Sequence, residues 1–114
     1  AKLANILFTR ALARRVAEDG ITALVMHPGV VDSNFANHCE PGMKSYMESI
    51  KDRSVTPDHA ARTLIWLASD PALSDKSGRY FYDLAELAPS EAGQNDAEAE
   101  RLWQVSAEQV AAYL

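Results

Sequence analysis

A single cysteine among 114 residues, Cys39, has no partner, so no internal disulfide can form and no cysteine-based metal site can be assembled. Basic residues are in deficit: 11 Lys and Arg stand against 16 Asp and Glu, a formal net charge of -5. That balance argues against nucleic acid or an anionic membrane surface as a partner. No apolar run approaches the roughly 18 residues of a membrane span, and no signal-peptide pattern stands at the front. A cytoplasmic location is the expectation. The three histidines, His27, His38 and His59, have spacings that match no ligand pattern, so no metal is expected. His38 and Cys39 are sequence neighbours, which seldom gives nucleophile–base geometry, and no oxyanion-hole motif accompanies them.

What is present is one small domain's worth of alternating elements around the stretch ITALVMHPGVVDS, Ile21 to Ser33. Its apolar start, Ile21–Met26, is the length of a strand and rich in aliphatic residues. Pro28 has no N–H for a ladder, so the strand ends before it, and Gly29 permits both a turn and a close backbone approach. Ligands of open α/β sheets lie outside the carboxyl ends of the strands. The loop Pro28–Ser33 is therefore the place to look for a ligand, with an ordinary turn as the plain alternative.

Upstream, residues 1–18 have helical spacing, with Leu3, Ile6, Leu7, Ala11, Leu12 and Val16 as an apolar stripe and Arg10, Arg14, Arg15 and Glu18 on much of the remaining surface. Gly20 is placed as the residue just past the helix end. A helix that begins at residue 1 lacks an N-cap, so its true beginning is expected further upstream. Downstream, Asn34–Arg53 has no clean period. Pro41-Gly42 reads as a break, and Met43, Tyr46, Met47 and Ile50 can share one face of a short helix. Long, weakly patterned segments beside a ligand loop often act as lids. Thr56-Pro57 is a helix start, and Ala60, Ala61, Leu64, Ile65, Leu67 and Ala68 make that helix broadly apolar. Arg79–Tyr82 reads as an aromatic strand, and Asp96 as the cap of a last helix carrying Leu102, Trp103, Val105, Val110 and Tyr113. Two strands joined by a helix give a parallel pair.

These residues in this order resemble the short-chain dehydrogenase/reductase family, most closely its retinol-dehydrogenase-like members. AKLANILFTRALARRVAEDG is similar to the helix that carries the family's Tyr-x-x-x-Lys motif, entered three residues past the tyrosine. HPGVVDS is similar to the family's Pro-Gly-x-x-x-Thr loop, with Ser33 in place of threonine. SGRYFYD followed by RLWQVSAEQV resembles the last strand and the C-terminal helix of the subgroup.

The resemblance implies the C-terminal part of a doubly wound parallel, Rossmann-type α/β sheet, ordered helix-strand-helix-strand-helix. Residues 1–114 are then the C-terminal segment of one NAD(P)-binding domain whose cofactor-binding N-terminal half is absent from the chain. It implies Lys2 as the active-site lysine, which holds the nicotinamide ribose and lowers the pKa of the preceding tyrosine. It implies cofactor contacts at Pro28, Gly29, Val31 and Ser33, and a substrate lid containing Phe35, Met43, Tyr46 and Met47. The cofactor is NAD or NADP, with the resemblance tilting toward NADP. The implied partner is a small alcohol, ketone or aldehyde of apolar character, with a homodimer through helix 1–19. The parent is expected to transfer a hydride between cofactor and substrate, and the 114-residue chain alone to be inactive, since tyrosine, serine and glycine-rich turn are missing. An autonomous, non-catalytic α/β binding or dimerisation module is the alternative.

Overall fold

A computed structural model describes residues 1–114. Four helices, α1 (Lys2–Val16), α2 (Pro41–Ser49), α3 (Pro57–Ser69) and α4 (Asp96–Val110), surround three short strands, β1 (Val25–His27), β2 (Tyr80–Tyr82) and β3 (Ala85–Glu86). No helix is long and apolar enough to cross a membrane. The sheet order is β1-β2-β3. β1 and β2 are parallel, as expected, with Val25 opposite Tyr80, Met26 opposite Phe81 and His27 opposite Tyr82. This is a mixed α/β arrangement compatible with part of a Rossmann-type sheet.

Both strands are shorter than expected. Of Ile21–Met26, only Val25 and Met26 pair as strand, and pairing runs one residue further, to His27. Ala23 is held otherwise: its carbonyl accepts from Gly78 N–H at 2.7 Å, and its own N–H donates to Ser77 Oγ at 3.0 Å. Arg79 likewise lies just outside β2, its carbonyl accepting from Val25 N–H. The third strand, β3, was not expected from the sequence at all. β2 turns into it through Asp83 and Leu84, whose φ values are +46° and +62°. Two successive left-handed residues match the right-handed twist of a two-residue hairpin, but neither is the glycine such a turn favours. The strained turn is tied down by Thr63 of α3, only 3% exposed, whose Oγ1 accepts from Leu84 N–H at 3.0 Å.

Helix ends follow local chemistry, with two corrections. Gly20, at φ +69°, closes the turn after α1. Its N–H reaches Ala17 C=O and Ile21 N–H reaches Val16 C=O, the paired bonds of a glycine-terminated helix. Pro41-Gly42 opens α2 instead of breaking the segment, because proline's missing N–H costs nothing in a first turn. α4 is capped by Asn95, whose side chain accepts from Glu98 N–H at 3.1 Å. Asp96 is the first helical residue.

Only nine of the 114 residues are buried. Phe81, at the centre of β2, is the one large side chain with essentially no exposure, a burial that contributes roughly 1.5–3 kcal/mol. Trp66 of α3 meets it edge-on at 5.6 Å. The broad apolar face expected of α3 is therefore only partly covered: Leu64 and Ile65 stay 58% and 64% exposed. On α1, Leu7 and Ala11 pack against Ala99, Leu102 and Trp103 of α4, so this chain itself covers the middle of the stripe.

The arginines expected to populate α1's solvated surface instead tie α1 to α4. Asp96 Oδ1 takes bonds of 2.9 Å from Arg10 and from Arg14. Glu100 takes two from Arg15, at 2.8 and 2.7 Å, and one from Arg14 at 3.0 Å. Arg15 also lies 4.3 Å over the Trp103 ring, which stacks on Phe8 at 5.4 Å. Hydrogen bonds first from Arg15 and then from Arg14 hold the Glu100 carboxyl down from 4.5 to about 2. Asp96 is lowered chiefly by Arg10.

A carboxylate whose folded pKa is depressed stabilises fully above its unfolded value, and this support is lost as pH falls through the folded value. The α1–α4 contact should hold at pH 5 and loosen between about 4.5 and about 2, with Trp103 fluorescence as reporter in a Trp66→Phe background. Glu100→Gln should weaken the contact at neutral pH and flatten that acid response; an unchanged response would remove the carboxylate from this role. Thr63→Val, which leaves the Leu84 N–H unpartnered, should cost about 1–3 kcal/mol by urea unfolding, whereas Thr63→Ser should retain most of the stability.

Candidate functional site

β1 delivers the chain to His27-Pro28-Gly29, and Pro28 cannot extend the ladder. Gly29 takes φ +81°, a left-handed conformation natural to glycine. Its N–H donates to His27 Nδ1 at 3.1 Å. The His27 ring lies 5.3 Å from the Tyr82 ring, its partner across the β1–β2 pairing, at an interplanar angle of 30°. A Cβ built on Gly29 would meet Tyr82 Cε2 at 3.4 Å, an ordinary contact. The need for glycine here is thus set by backbone conformation more than by space.

Further along, the loop is pinned to the approach of α3. Val55 N–H donates to Val30 C=O at 2.8 Å, and Asp32 N–H donates to Val55 C=O at 2.9 Å, a parallel bridge between Val31 and Val55. Ser33 N–H reaches back to Val31 C=O at 2.9 Å, while Ser33 Oγ accepts from Phe35 N–H at 3.3 Å and caps the 3₁₀ turn Asn34–His38. The Val31 N–H faces away from Val55 and has no acceptor. The Ser33 hydroxyl keeps its own proton free to donate.

Two spaces result. A cleft of about 290 Å³ is lined by Lys2, Asn5 and Ile6 of α1, Val25–His27 of β1, Pro28, Gly29 and Tyr80 of β2. The structure thus brings Lys2, Pro28 and Gly29, far apart in sequence, to one place. Val31 and Ser33 do not join them. They line a neighbouring hollow of about 250 Å³ with Asp32, Lys44, Met47 and Lys51 among others, because the Val55 pins turn this half of the loop toward α2. Of the expected lid residues, Met47 lines that hollow, whereas Phe35, Met43 and Tyr46 line neither space and are 61%, 49% and 58% exposed.

Sequence reasoning missed Asn5, Ile6 and Tyr80. Asn5 and Ile6 stand three and four residues past Lys2, so helical spacing from the lysine locates them. Ile6 also belongs to the apolar stripe, which hides its place beside the lysine. Tyr80 enters through strand register, which spacing does not give.

A helix lysine thus lies beside a Pro-Gly loop at the carboxyl end of a parallel strand pair, the edge at which open α/β sheets bind ligands. Over nearly all of its length the chain is similar to retinol dehydrogenases. It is 39% identical over 108 residues to human retinol dehydrogenase 14, a match that covers 92% of this chain and 32% of that protein. Mouse retinol dehydrogenase 12 is 38% identical over 112 residues, covering 94% and 34%, and human retinol dehydrogenase 13 is 32% identical over 111 residues, covering 93% and 34%. The chain therefore spans about a third of the length of these curated relatives. No family model matches it.

Replacing Gly29 by alanine should cost roughly 1–2 kcal/mol, the penalty of a left-handed non-glycine residue. Urea unfolding measures the loss. A Gly29→Ala variant as stable as the parent would mean that the loop relaxes out of its left-handed geometry.

Proposed function

We propose that this chain is the C-terminal portion of an NAD(P)-dependent short-chain oxidoreductase acting on an apolar alcohol or carbonyl compound. A retinoid-like substrate is the version that the relatives' names favour. The observation that carries the proposal is the single cleft joining Lys2 to Pro28 and Gly29. The site residues fit a nicotinamide nucleotide in donor chemistry. Lys2 offers an ammonium, and Val31 N–H and the Ser33 hydroxyl are donors not yet used up within the chain. When bound, that group supplies or accepts the hydride. Lys2 would bind the ribose hydroxyls through a compact ammonium with three donors. Its charge also favours the ionised form of a hydroxyl-bearing side chain one turn earlier on the same helix. Val31 and Ser33 would orient the carboxamide, and Pro28 and Gly29 shape the path between the two donor sets. The split between the Lys2 cleft and the Val31–Ser33 hollow suits a ligand that spans both. The preference for NADP over NAD rests on the family resemblance alone.

In this reading the isolated 114-residue chain has no turnover, because it holds neither the tyrosine nor the pyrophosphate-binding turn. In the parent enzyme, Lys2→Arg keeps the charge but replaces a compact donor by a planar fork. Activity should fall on the order of 10²–10⁴-fold and the pH optimum should rise, since a tyrosine less well supported stays protonated to higher pH. Ser33→Ala should instead weaken cofactor binding by about 0.5–1.5 kcal/mol. Full activity and an unshifted pH–rate profile in Lys2→Arg would return Lys2 to the helix surface and favour a non-catalytic binding module.

A further inference from the structure

We propose that His27 is a positioning residue: its neutral ring, accepting at Nδ1, holds the Pro28–Ser33 loop in shape, and protonation of the ring releases that loop. The inference rests on the cofactor reading above for its functional consequence, while its structural content stands apart from it.

The Gly29 N–H donates to His27 Nδ1 at 3.1 Å. A neutral imidazole has one N–H and one acceptor nitrogen, so an accepting Nδ1 places the ring proton on Nε2. The protonated ring carries N–H on both nitrogens and would point a donor at the Gly29 N–H. Tyr82 flanks the ring, its centroid 5.3 Å from that of the imidazole. Gly29 is at φ +81°, and the far end of the loop is fixed independently by the Val30, Asp32 and Val55 bonds. Loss of the His27 bond therefore frees the near end, where Pro28 and Gly29 line the Lys2 cleft, and leaves the Val31–Ser33 end in place.

The titratable groups around the ring come from three elements. Lys2 of α1 and Tyr80 of β2 share its cleft. Tyr82, Asp83 and His59 share a small hollow on its other side, where His59 Nε2 lies 3.3 Å from Asp83 Oδ1. His59 faces Asp83 in a hollow that Gly29 does not line, and it is absent from the cleft that Gly29 does line, so the two histidines are separable. His27→Asn puts an amide oxygen in the place of Nδ1 and cannot titrate in this range.

The test uses the complete protein labelled with ¹⁵N at histidine and glycine, followed by NMR from about pH 8 to about pH 5, the span of histidine titration, beside NADP and NAD affinity measured over the same range. The expected result is an unprotonated His27 Nδ1 at the alkaline end and a Gly29 amide that shifts with the midpoint of His27. His27→Asn should abolish the Gly29 titration, and His59→Gln should leave it intact. Nicotinamide affinity should fall about 3- to 10-fold on the acid side, as for one hydrogen bond lost, and stay flat in His27→Asn. A Gly29 amide that ignores His27, or that titrates still in His27→Asn, overturns the inference. So does affinity that is flat with pH while Gly29 titrates, since His27 then positions nothing that binds. If Gly29 follows His27 but neither nucleotide binds at any pH, the loop inference stands and the oxidoreductase reading falls.

Discussion

The parallel pairing of β1 with β2 is the constraint on which the site depends. It is only three residues long, yet it sets His27 beside Tyr82 and brings the carboxyl ends of both strands to the same edge. From that edge Pro28 and Gly29 leave toward α1, so that a loop far downstream in sequence meets Lys2 in one cleft. A slip of one residue would exchange the faces of every side chain in the pair. Phe81 would lose its cover from Trp66, and Tyr80 its place beside the lysine. The burial of Phe81 is the energetic lock on register, and the site geometry follows from it.

α1 must in turn be held in place for Lys2 to be useful, and the chain does this electrostatically as much as by apolar packing. Leu7 and Ala11 supply a small dry contact with α4. Three arginines of α1 converge on Asp96 and Glu100 around it. Exposed ion pairs contribute little singly, but networks with good geometry contribute more. Arg15 also covers Trp103, so its stem and its charge serve the same contact. The far end of the helix is anchored by these bonds, and Lys2 lies at the opposite end, open to the cleft.

Much of this was legible in the sequence, for identifiable reasons. The helix of residues 2–16, its glycine-terminated end, the Thr56-Pro57 start and the parallel strand pair each rest on local rules that tertiary context did not override. The Pro28-Gly29 loop was legible from strand and turn chemistry and Lys2 only through the family resemblance, and the structure gathers them in one cleft. The hairpin Tyr82–Glu86 was not legible, because Asp83-Leu84 lacks the glycine that marks such turns, and its conformation is enforced by Thr63 from a distant helix. The role of Arg10, Arg14 and Arg15 was missed because helical spacing shows which face a residue occupies and not what lies opposite. The separation of Val31 and Ser33 from Lys2 follows from bonds to Val55, a residue that no motif singles out.

The two-residue strand β3 also governs how the sheet can meet other backbone. It lies antiparallel along β2, with Phe81 opposite Glu86 and Tyr82 opposite Ala85, and Leu87 N–H extends the contact to Tyr80 C=O at 2.8 Å. Arg79 and Glu86 close its flank with a 2.8 Å ion pair. So short and charged an edge presents too few unpaired amides and carbonyls to template a further strand. β2 is thereby shielded from illicit pairing, and any additional strand finds its docking line along β1, which gives the sheet a direction of growth.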